Sequence, residues 1–364
     1  MRNSCVRAAA LAAVLVLLSP GLVLAQRYQR TDLTTDSFAV SASAANLDAN
    51  LVNPWGLSRA SGSPWWVSDN GTGLSTLYNG AGAAQSLVVT IPTPDGTGTS
   101  APTGTVFNAT AAFPAATGKK SIFLFVTEDG TISGWNPGVD ATHAVLLVNR
   151  AGKAIYKGCA IAQGKNGPQF YATNFQSGRV EVLDGSFNRL RTSDDAFRLH
   201  GLGRDWAPFN IQNVGGNLVV TFAHRAVGSH DEDHGAGLGF AAVFDPSGRF
   251  LLFLEHGSWF NAPWGVALAP GDFGPFSHRL LVGNFGDGTI HAFNLMTGKH
   301  EGAMLDATGQ PLAIGGLWAI SFGGGTANNG SATALFFSAG ANDEADGIFG
   351  QLTATAAEQP GNSQ

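Results

Sequence analysis

A strand–turn–strand pattern that recurs six times predicts an all-β fold, a six-bladed β-propeller with four-stranded antiparallel blades. Glycine occupies 49 of the 364 positions and charged residues make up only 13%, a composition typical of short strands joined by tight turns. No segment carries a sustained apolar period of 3.6 residues, as a surface helix would. Because one such unit cannot bury both of its faces, the repeat indicates a closed ring of blades.

The first 25 residues have the pattern of a cleaved secretory signal peptide. Arg2 and Arg7 flank the start, residues 8–18 are apolar, and small residues lead to a cleavage point after Ala25. The apolar run is shorter than the roughly 20 residues that a membrane-spanning helix needs. We expect a secreted or periplasmic protein that is not membrane-embedded. Its one remaining cysteine, Cys159, lies in an apolar strand and is expected to be buried.

The six units follow one another along the chain, and two of them begin with Pro-Trp-Gly while the sixth begins with the related GLWAI. The clearest, residues 261–294, opens with NAPWGVALAP and closes with RLLVGNFGDGTIHAFN. The units begin at Asn53, Pro102, Ile155, Pro208, Asn261 and Gly316. Residues 28–36 alternate in polarity and are expected to join the last blade, which would leave no free sheet edge.

The propeller domain is expected to span residues 26–353, with residues 354–364 as a disordered tail. A seventh blade in residues 187–207 is one alternative. A β-sandwich or a solenoid is another.

Several long segments resemble an uncharacterised family of bacterial secreted proteins. They include NPWGLS, WWVSDNGTGLSTLYNG, APFNIQNVGGNL and the closing GANDEADGIFG, and the resemblance runs from about residue 28 to 352. The blades also resemble NHL-type repeats. The resemblance implies the propeller fold and an exported protein, and it implies no activity. Some members of the family carry a PEP-type C-terminal sorting tail, but this chain ends in TAAEQPGNSQ, so attachment through such a tail is not expected.

One face of the propeller is the expected place for a site. The start of the first strand and the end of the antiparallel second strand of a blade lie on the same face. A central ring of oxygen ligands is therefore predicted from Asp69, Glu128, Asn174, Asn284 and Asp343. Such ligands suit Ca²⁺, which could polarise an ester carbonyl as in six-bladed lactonase-like hydrolases. The alternative is that these residues form the turns between strands.

A second candidate site is the polar insertion between the second and third strands of blade 4. It contains His224, His230, Asp231, Asp233 and His234. Imidazole and carboxylate together suit a transition metal such as Zn²⁺, Cu²⁺ or Fe²⁺ better than Ca²⁺. The alternative is a solvated acidic loop.

Three tryptophans at or near the start of first strands, Trp55, Trp264 and Trp318, are expected on the same face. They form either a ligand surface or the packing between blades. With 20 Lys and Arg against 26 Asp and Glu, and no basic cluster, nucleic acid is excluded as a partner.

The favoured function is a module that binds a small molecule or an extracellular protein on this face. The alternatives are a Ca²⁺-dependent hydrolase of lactones or esters, and a redox-metal enzyme that uses the His/Asp loop. No cofactor is certain.

Overall fold

Each of the six predicted units folds into one antiparallel sheet, and the sheets form a six-bladed β-propeller. The computed structural model of the chain describes residues 27–226 and 228–355. The predicted signal peptide and residues 356–364 of the predicted tail lie outside the described residues. The inner strands of the six blades contact one another in sequence order, and the last contacts the first. The prediction of fold class is confirmed.

The first half of the ring contains blades 1 to 3. Two strands precede blade 1, namely β1 (Tyr28–Thr35) and β2 (Asn46–Leu47). Blade 1 consists of β3 (Pro54–Ser58), β4 (Trp65–Asp69), β5 (Leu74–Tyr78) and β6 (Val89–Thr90). Blade 2 consists of β7 (Pro102–Phe107), an inserted hairpin of β8 (Pro114–Ala116) and β9 (Lys119–Lys120), and then β10 (Phe123–Thr127), β11 (Thr131–Trp135) and β12 (Val145–Asn149). Blade 3 consists of β13 (Tyr156–Gly164), β14 (Gly167–Asn174) and β15 (Arg179–Leu183).

The second half contains blades 4 to 6. Blade 4 consists of β16 (Trp206–Val214), β17 (Asn217–His224), β18 (Gly239–Phe244) and β19 (Phe250–Phe253). Blade 5 consists of β20 (Pro263–Leu268), β21 (Leu280–Asn284), β22 (Ile290–Phe293) and β23 (His300–Ala303), with a 3₁₀ turn at Gly274–Phe276. Blade 6 consists of β24 (Leu317–Phe322), β25 (Leu335–Ala341) and β26 (Asp346–Ala354). Blade 3 differs from the four-stranded expectation, because the chain after β15 makes only an isolated bridge between Leu183 and Arg189.

The N-terminal strand closes the ring, as the sequence predicts. β1 pairs antiparallel with β26, from Tyr28 opposite Ala354 to Thr35 opposite Ile348, and β2 then pairs parallel with β1. Blade 6 is therefore assembled from both ends of the chain. This pairing covers the edge of β26, which would otherwise expose unpaired backbone groups.

A β-bulge in each inner strand turns one side chain toward the centre of the ring. In all six blades the register between the first and second strands shifts by one residue near the start of the inner strand, after the first paired position in five blades and after the third, Pro208, in blade 4. Bulges of this kind re-aim a side chain. The six residues at this position are Trp55, Thr103, Lys157, Phe209, Trp264 and Trp318. Trp55 of blade 1 contacts Trp264 of blade 5, with ring centroids 6.2 Å apart, so these side chains meet at the centre.

In four of the blades a glycine follows this position and allows neighbouring blades to approach closely. A Cβ placed on Gly56 would lie 2.6 Å from the carbonyl oxygen of Thr103, in the next blade. Apolar layers fill the space between blades. One of them joins Val219 of blade 4 to Val282 of blade 5. Cys159 is buried between blades 2 and 3, and burial raises the pKa of its thiol, so the expectation for this residue is confirmed.

Blade 5 carries a histidine pair on its two outer strands. His291 Nδ1 lies 3.0 Å from His300 Nε2, and the His300 ring stacks on Trp259 at 4.1 Å between centroids. Burial, aided by the neighbouring His300, lowers the pKa of His291 to about 4, against a smaller opposing effect of Asp287. Burial also lowers the pKa of His300, although Glu255 opposes it.

Because of this histidine pair, we expect the free energy of unfolding to fall at acidic pH. In the unfolded chain His291 binds its proton near pH 6.5, whereas in the folded chain it binds its proton only near pH 4. The contribution of His291 to the free energy of unfolding is therefore complete above about pH 6.5 and is lost as the pH falls toward 4. Its size is about 1.4 kcal/mol per unit of pKa shift. We expect His291→Gln to flatten the fall in unfolding free energy between pH 7 and 4 by about 3 kcal/mol. Urea denaturation at several pH values measures this. The exposed His200→Gln serves as control, and an unchanged slope in His291→Gln would contradict the assignment.

Candidate functional site

A pocket of about 300 Å³ opens at the centre of one face of the ring. It lies on the face where inner strands begin and second strands end, as the pairings of Pro54 with Asp69 and Pro263 with Asn284 show. Two asparagines, one lysine, one histidine and two aromatic rings line it. It is also lined by five carboxylates, those of Glu128, Asp231, Glu232, Asp343 and Glu344. We refer to it as the acidic pocket.

Lys157 lies at the base of the acidic pocket and is 1% exposed. Its Nζ donates to Glu128 Oε1 at 2.6 Å and lies 3.6 Å from Asp231 and 3.9 Å from Glu232. It also lies 5.0 Å from the centre of the Trp55 ring. Burial alone would lower the pKa of this ammonium, but Glu128 and Glu232 more than offset the effect and the pKa is raised. Lys157 is therefore a buried cation at neutral pH.

An aromatic cluster forms the floor beneath Lys157. Trp318 stacks on Trp55 at 3.5 Å and on Phe285 at 3.9 Å between ring centroids. Trp264 meets the edge of Trp318 and donates its indole N–H to the carbonyl oxygen of Lys157 at 3.1 Å. Of the three predicted tryptophans, Trp55 lines the pocket, whereas Trp264 and Trp318 are packed below it.

A chain of amides connects this floor to two of the carboxylates. Trp318 Nε1 donates to Asn53 Oδ1 at 3.0 Å, and Asn53 Nδ2 donates to Glu344 Oε1 at 3.0 Å. Asn70 Nδ2 donates to Glu128 Oε2 at 3.0 Å. Burial, followed by the charges of Glu232 and Glu128, raises the pKa of Glu344 in spite of the Asn53 bond. The carboxylates of this pocket therefore repel one another.

The turn that carries Asp343 and Glu344 has an unusual backbone. Asn342, Asp343 and Glu344 have φ values of 53°, 52° and 66°, all in the left-handed region that non-glycine residues rarely occupy. Such strain concentrates at binding and catalytic sites, where the surrounding structure maintains it. Three consecutive strained residues hold Glu344 at the rim of the acidic pocket.

The His/Asp insertion reaches the same pocket through an anchor at its base. His224 Nδ1 lies 2.7 Å from Asp233 Oδ2, and His224 Nε2 lies 3.0 Å from Asp205 Oδ2. The Asp233 N–H donates to the carbonyl oxygen of His224. These contacts fix the loop, so that Asp231 and Glu232 lie beside Lys157. His230 is exposed and does not line the pocket.

Glu232 and His234 form the wall that the insertion contributes. The Glu232 side chain is 5% exposed, and in the described part of the chain its Oε2 receives no hydrogen bond. His234 Nε2 lies 3.6 Å from Glu232 Oε1, and its ring meets the Phe285 ring edge-on at 5.1 Å. The nearby carboxylate of Glu232 raises the pKa of His234 against the effect of burial.

Three members of the predicted oxygen ring do not reach the pocket. Asp69 Oδ2 accepts from the Thr76 N–H and hydroxyl at 3.0 and 2.8 Å, and burial raises its pKa. Asn174 Oδ1 accepts from the Ser177 N–H at 3.2 Å, within its own turn. Asn284 donates to the Trp259 carbonyl at 2.7 Å. These side chains therefore stabilise an adjacent strand, a turn and a loop.

The pocket thus unites parts of both predicted sites. Glu128 and Asp343 come from the ring, and Asp231 and His234 come from the insertion. Within residues 27–226 and 228–355, no group of three or more His, Cys, Asp or Glu side chains is arranged to hold a metal ion. Glu232 and Glu344 lie in the two segments that the sequence assigns to this face, whereas Lys157 is not among the predicted site residues. Aligning the inner strands by position would have shown Lys157 in a place where three other blades carry tryptophan.

These features define the class of protein, a six-bladed β-propeller with a polar pocket at the centre of one face. No family model matches the sequence. An uncharacterised protein of Acanthamoeba polyphaga mimivirus is 30% identical over 318 residues, covering 85% of this chain and 76% of the relative. A second one is 30% identical over 327 residues, covering 85% and 82%. The chain belongs to the same family as these two uncharacterised mimiviral proteins.

Solved structures share the fold at low identity. A streptogramin B lyase superposes with a TM-score of 0.50 and 11% identity, covering 90% of this chain and 97% of that one. A virginiamycin B lyase from Staphylococcus aureus gives 0.50 and 13%, covering 90% and 99%. A protein of unknown function from Bacteroides thetaiotaomicron gives 0.52 and 10%, covering 90% and 76%. This likeness concerns the fold alone. No helix of the described residues is long and apolar enough to cross a membrane.

Proposed function

We propose that the protein is an exported binding module that receives a cationic group, an ammonium or a guanidinium, in the acidic pocket. The group belongs to a small molecule or to a side chain of an extracellular protein. The observation that carries this proposal is the charge of the pocket, where five carboxylates face a single buried ammonium.

The electrostatics of the pocket favour a second cation. Lys157 neutralises part of the negative charge, yet the pKa of Glu344 remains raised by burial and by Glu232 and Glu128. A cleft lined by one sign of charge concentrates the opposite ion. Glu232 Oε2, which lies 3.9 Å from Lys157 Nζ and accepts no hydrogen bond from the described residues, supplies a hydrogen-bond partner. Bonds from a charged donor to a carboxylate are among the stronger polar interactions in proteins.

The shape of the pocket limits the size of the group. A volume of about 300 Å³ is at the lower end for small-molecule sites. The rings of Trp55 and Phe285 supply apolar contact beside the charges, which suits an alkylammonium or alkylguanidinium better than a bare ion. The rigid aromatic floor holds this geometry in place before a ligand arrives.

Calorimetric titration with n-butylammonium and methylguanidinium tests the proposal, with n-butanol and butyrate as neutral and anionic controls. We expect saturable binding of the two cations that weakens with added salt. Glu344→Gln should weaken it by about ten- to a hundredfold, since loss of one charge-assisted bond costs about 1.5–3 kcal/mol. The control variant Asp272→Asn changes an exposed carboxylate outside the pocket. It should bind the two cations as the original chain does.

Cations that bind no better than n-butanol would overturn the proposal. The same experiment with CaCl₂ and ZnCl₂ addresses the metal-dependent hydrolase and the redox-metal enzyme predicted from the sequence. Stoichiometric metal binding that disappears in Glu344→Gln, without binding of the organic cations, would favour those functions instead.

A further inference from the structure

We propose a second binding site, for a phosphate or sulfate monoester, in a cleft between blades 3 and 4. The cleft has a volume of about 340 Å³ and lies between the β14–β15 turn, residues 197–206 and the end of β17. It is lined by four arginines, Arg179, Arg198, Arg204 and Arg225, and by no carboxylate. We refer to it as the arginine cleft.

Arg225 is the centre of the argument because it is a buried cation without a counterion. It is only 9% exposed, and among the described residues it forms no ion pair with a carboxylate. Its Nη1 donates to the Gln176 carbonyl oxygen at 3.1 Å, whereas its Nε is buried and makes no hydrogen bond in the part of the chain that is described. Its guanidinium lies 5.2 Å from the centre of the Phe175 ring.

An unpaired buried guanidinium is costly, because desolvation is not repaid by a partner charge. The lowered pKa of Arg225, caused by burial, is in line with this cost. The other positive charges in the cleft increase the cost of burying Arg225. Arg179 donates to a backbone carbonyl oxygen, that of Asp194, and Arg198 and Arg204 are exposed. In a chain whose net charge is −6, four arginines that pair with no carboxylate of the described residues mark a site for an external anion.

The chemistry of the lining identifies the class of anion. Guanidinium groups bind phosphate and sulfate oxygens in a forked, two-bond geometry that a carboxylate-free cleft leaves open. Apolar side chains, including Phe197, Leu199 and Trp206, share the cleft with the arginines. An ester with an apolar or aromatic body fits this combination better than a free inorganic ion. The site is independent of the acidic pocket, since the two share no lining residue.

Titration calorimetry with phenyl phosphate and phenyl sulfate tests the proposal, with inorganic phosphate as the free ion and benzyl alcohol as the neutral ring. We expect the two esters to bind more tightly than inorganic phosphate, and benzyl alcohol not to bind. Arg225→Gln should weaken ester binding at least tenfold. Arg249→Gln, which removes an exposed arginine paired with Asp245 on a blade 4 turn, should leave it unchanged.

The exposed pair Arg198→Gln with Arg204→Gln tests the cleft even where Arg225→Gln fails to fold, and should also weaken binding at least tenfold. Circular dichroism confirms that each variant is folded. The site would be overturned if phenyl phosphate bound no more tightly than benzyl alcohol. It would also be overturned if phenyl phosphate bound the Arg198 and Arg204 double variant as tightly as the original chain. Inorganic phosphate that binds as tightly as the esters would overturn the assignment of the ligand as an ester. Glu344→Gln should bind phenyl phosphate normally, which separates this result from that of the acidic pocket.

Discussion

Lys157→Met is expected to lower the free energy of unfolding by about 3–5 kcal/mol, the usual result of removing one partner of a buried ion pair. Lys157 Nζ lies within 4 Å of three carboxylates, those of Glu128, Asp231 and Glu232. Methionine has nearly the same length and can fill the space over Trp55, so the change chiefly removes the charge. The carboxylates that remain are partly desolvated and repel one another.

Urea denaturation followed by tryptophan fluorescence measures this loss. Lys165→Met, at the exposed turn of the same β13–β14 hairpin, is the matched control and should change stability by less than about 0.5 kcal/mol. The double variant Lys157→Met with Glu128→Gln should recover part of the lost stability, because it removes one uncompensated charge. A double variant that is less stable than Lys157→Met would show that charge is not the cause.

The effect of Lys157→Met should also depend on pH. Lys157 holds down the pKa of Glu344, which burial and the nearby Glu232 and Glu128 already raise. Without Lys157 that pKa rises further, so the folded variant binds a proton more tightly than the unfolded chain does. The contribution of Glu344 to the stability of the variant is therefore fully present below the unfolded pKa of glutamate and is lost as the pH rises through the folded pKa. The difference between variant and original chain should be larger at pH 8 than at pH 5.

The sequence was sufficient to predict the ring of blades and the face that carries the pocket. Both follow from local rules: repeated Pro-Trp-Gly starts mark inner strands, and antiparallel pairing places strand starts and second-strand ends together. The alternation in residues 28–36 predicted the closing strand, and β1 does pair with β26. The three strands of blade 3 and the β8–β9 hairpin were not predicted, because both depend on loops whose pairing the local pattern does not determine.

The site was predicted only in part, for a physical reason. At the end of a second strand, the direction of a side chain depends on where the turn begins. Asp69 faces the neighbouring strand β5, where Thr76 donates to it, whereas Asn70, one residue later, faces the pocket. Asp343 and Glu344 both reach the pocket because of a left-handed backbone that no sequence rule assigns to these residues. Glu232 reaches it because His224 and Asp233 fold the insertion back.

The place of Lys157 in the site could have been predicted from its position in the inner strand of blade 3. The bulge of each inner strand directs one residue to the centre, and Trp55, Trp264 and Trp318 occupy this place in three blades. In IYKGCAIA the lysine stands between a strand start and a glycine, just as the tryptophan does in Pro-Trp-Gly. A charged residue in an otherwise uncharged series indicates a functional site more strongly than the recurring residues do.

Trp318→Ala is expected to cost about 3–5 kcal/mol in unfolding free energy, the range for removing a large aromatic side chain from a core. Trp318 is fully buried, stacks on Trp55 and Phe285, and meets Phe209 and Trp264 edge-on. Its loss leaves a cavity where blades from opposite sides of the ring meet. Met296→Ala, at an 88% exposed position, is the control and should have little effect. Denaturation in urea measures both variants, and a loss below about 1 kcal/mol for Trp318→Ala would contradict the central role of this cluster.

Trp318→Phe separates packing from the polar contact that the indole makes. Phenylalanine retains much of the stacking but cannot donate to Asn53, which in turn holds Glu344. We expect this variant to lose less stability than Trp318→Ala, yet to bind n-butylammonium more weakly than the original chain. Asn53→Ala should then reproduce the loss of binding with the tryptophan intact. Normal binding in Trp318→Phe would mean that the Glu344 carboxylate is positioned by its strained turn alone. A common defect in the two variants would mean that the aromatic core orients the acidic pocket through one amide.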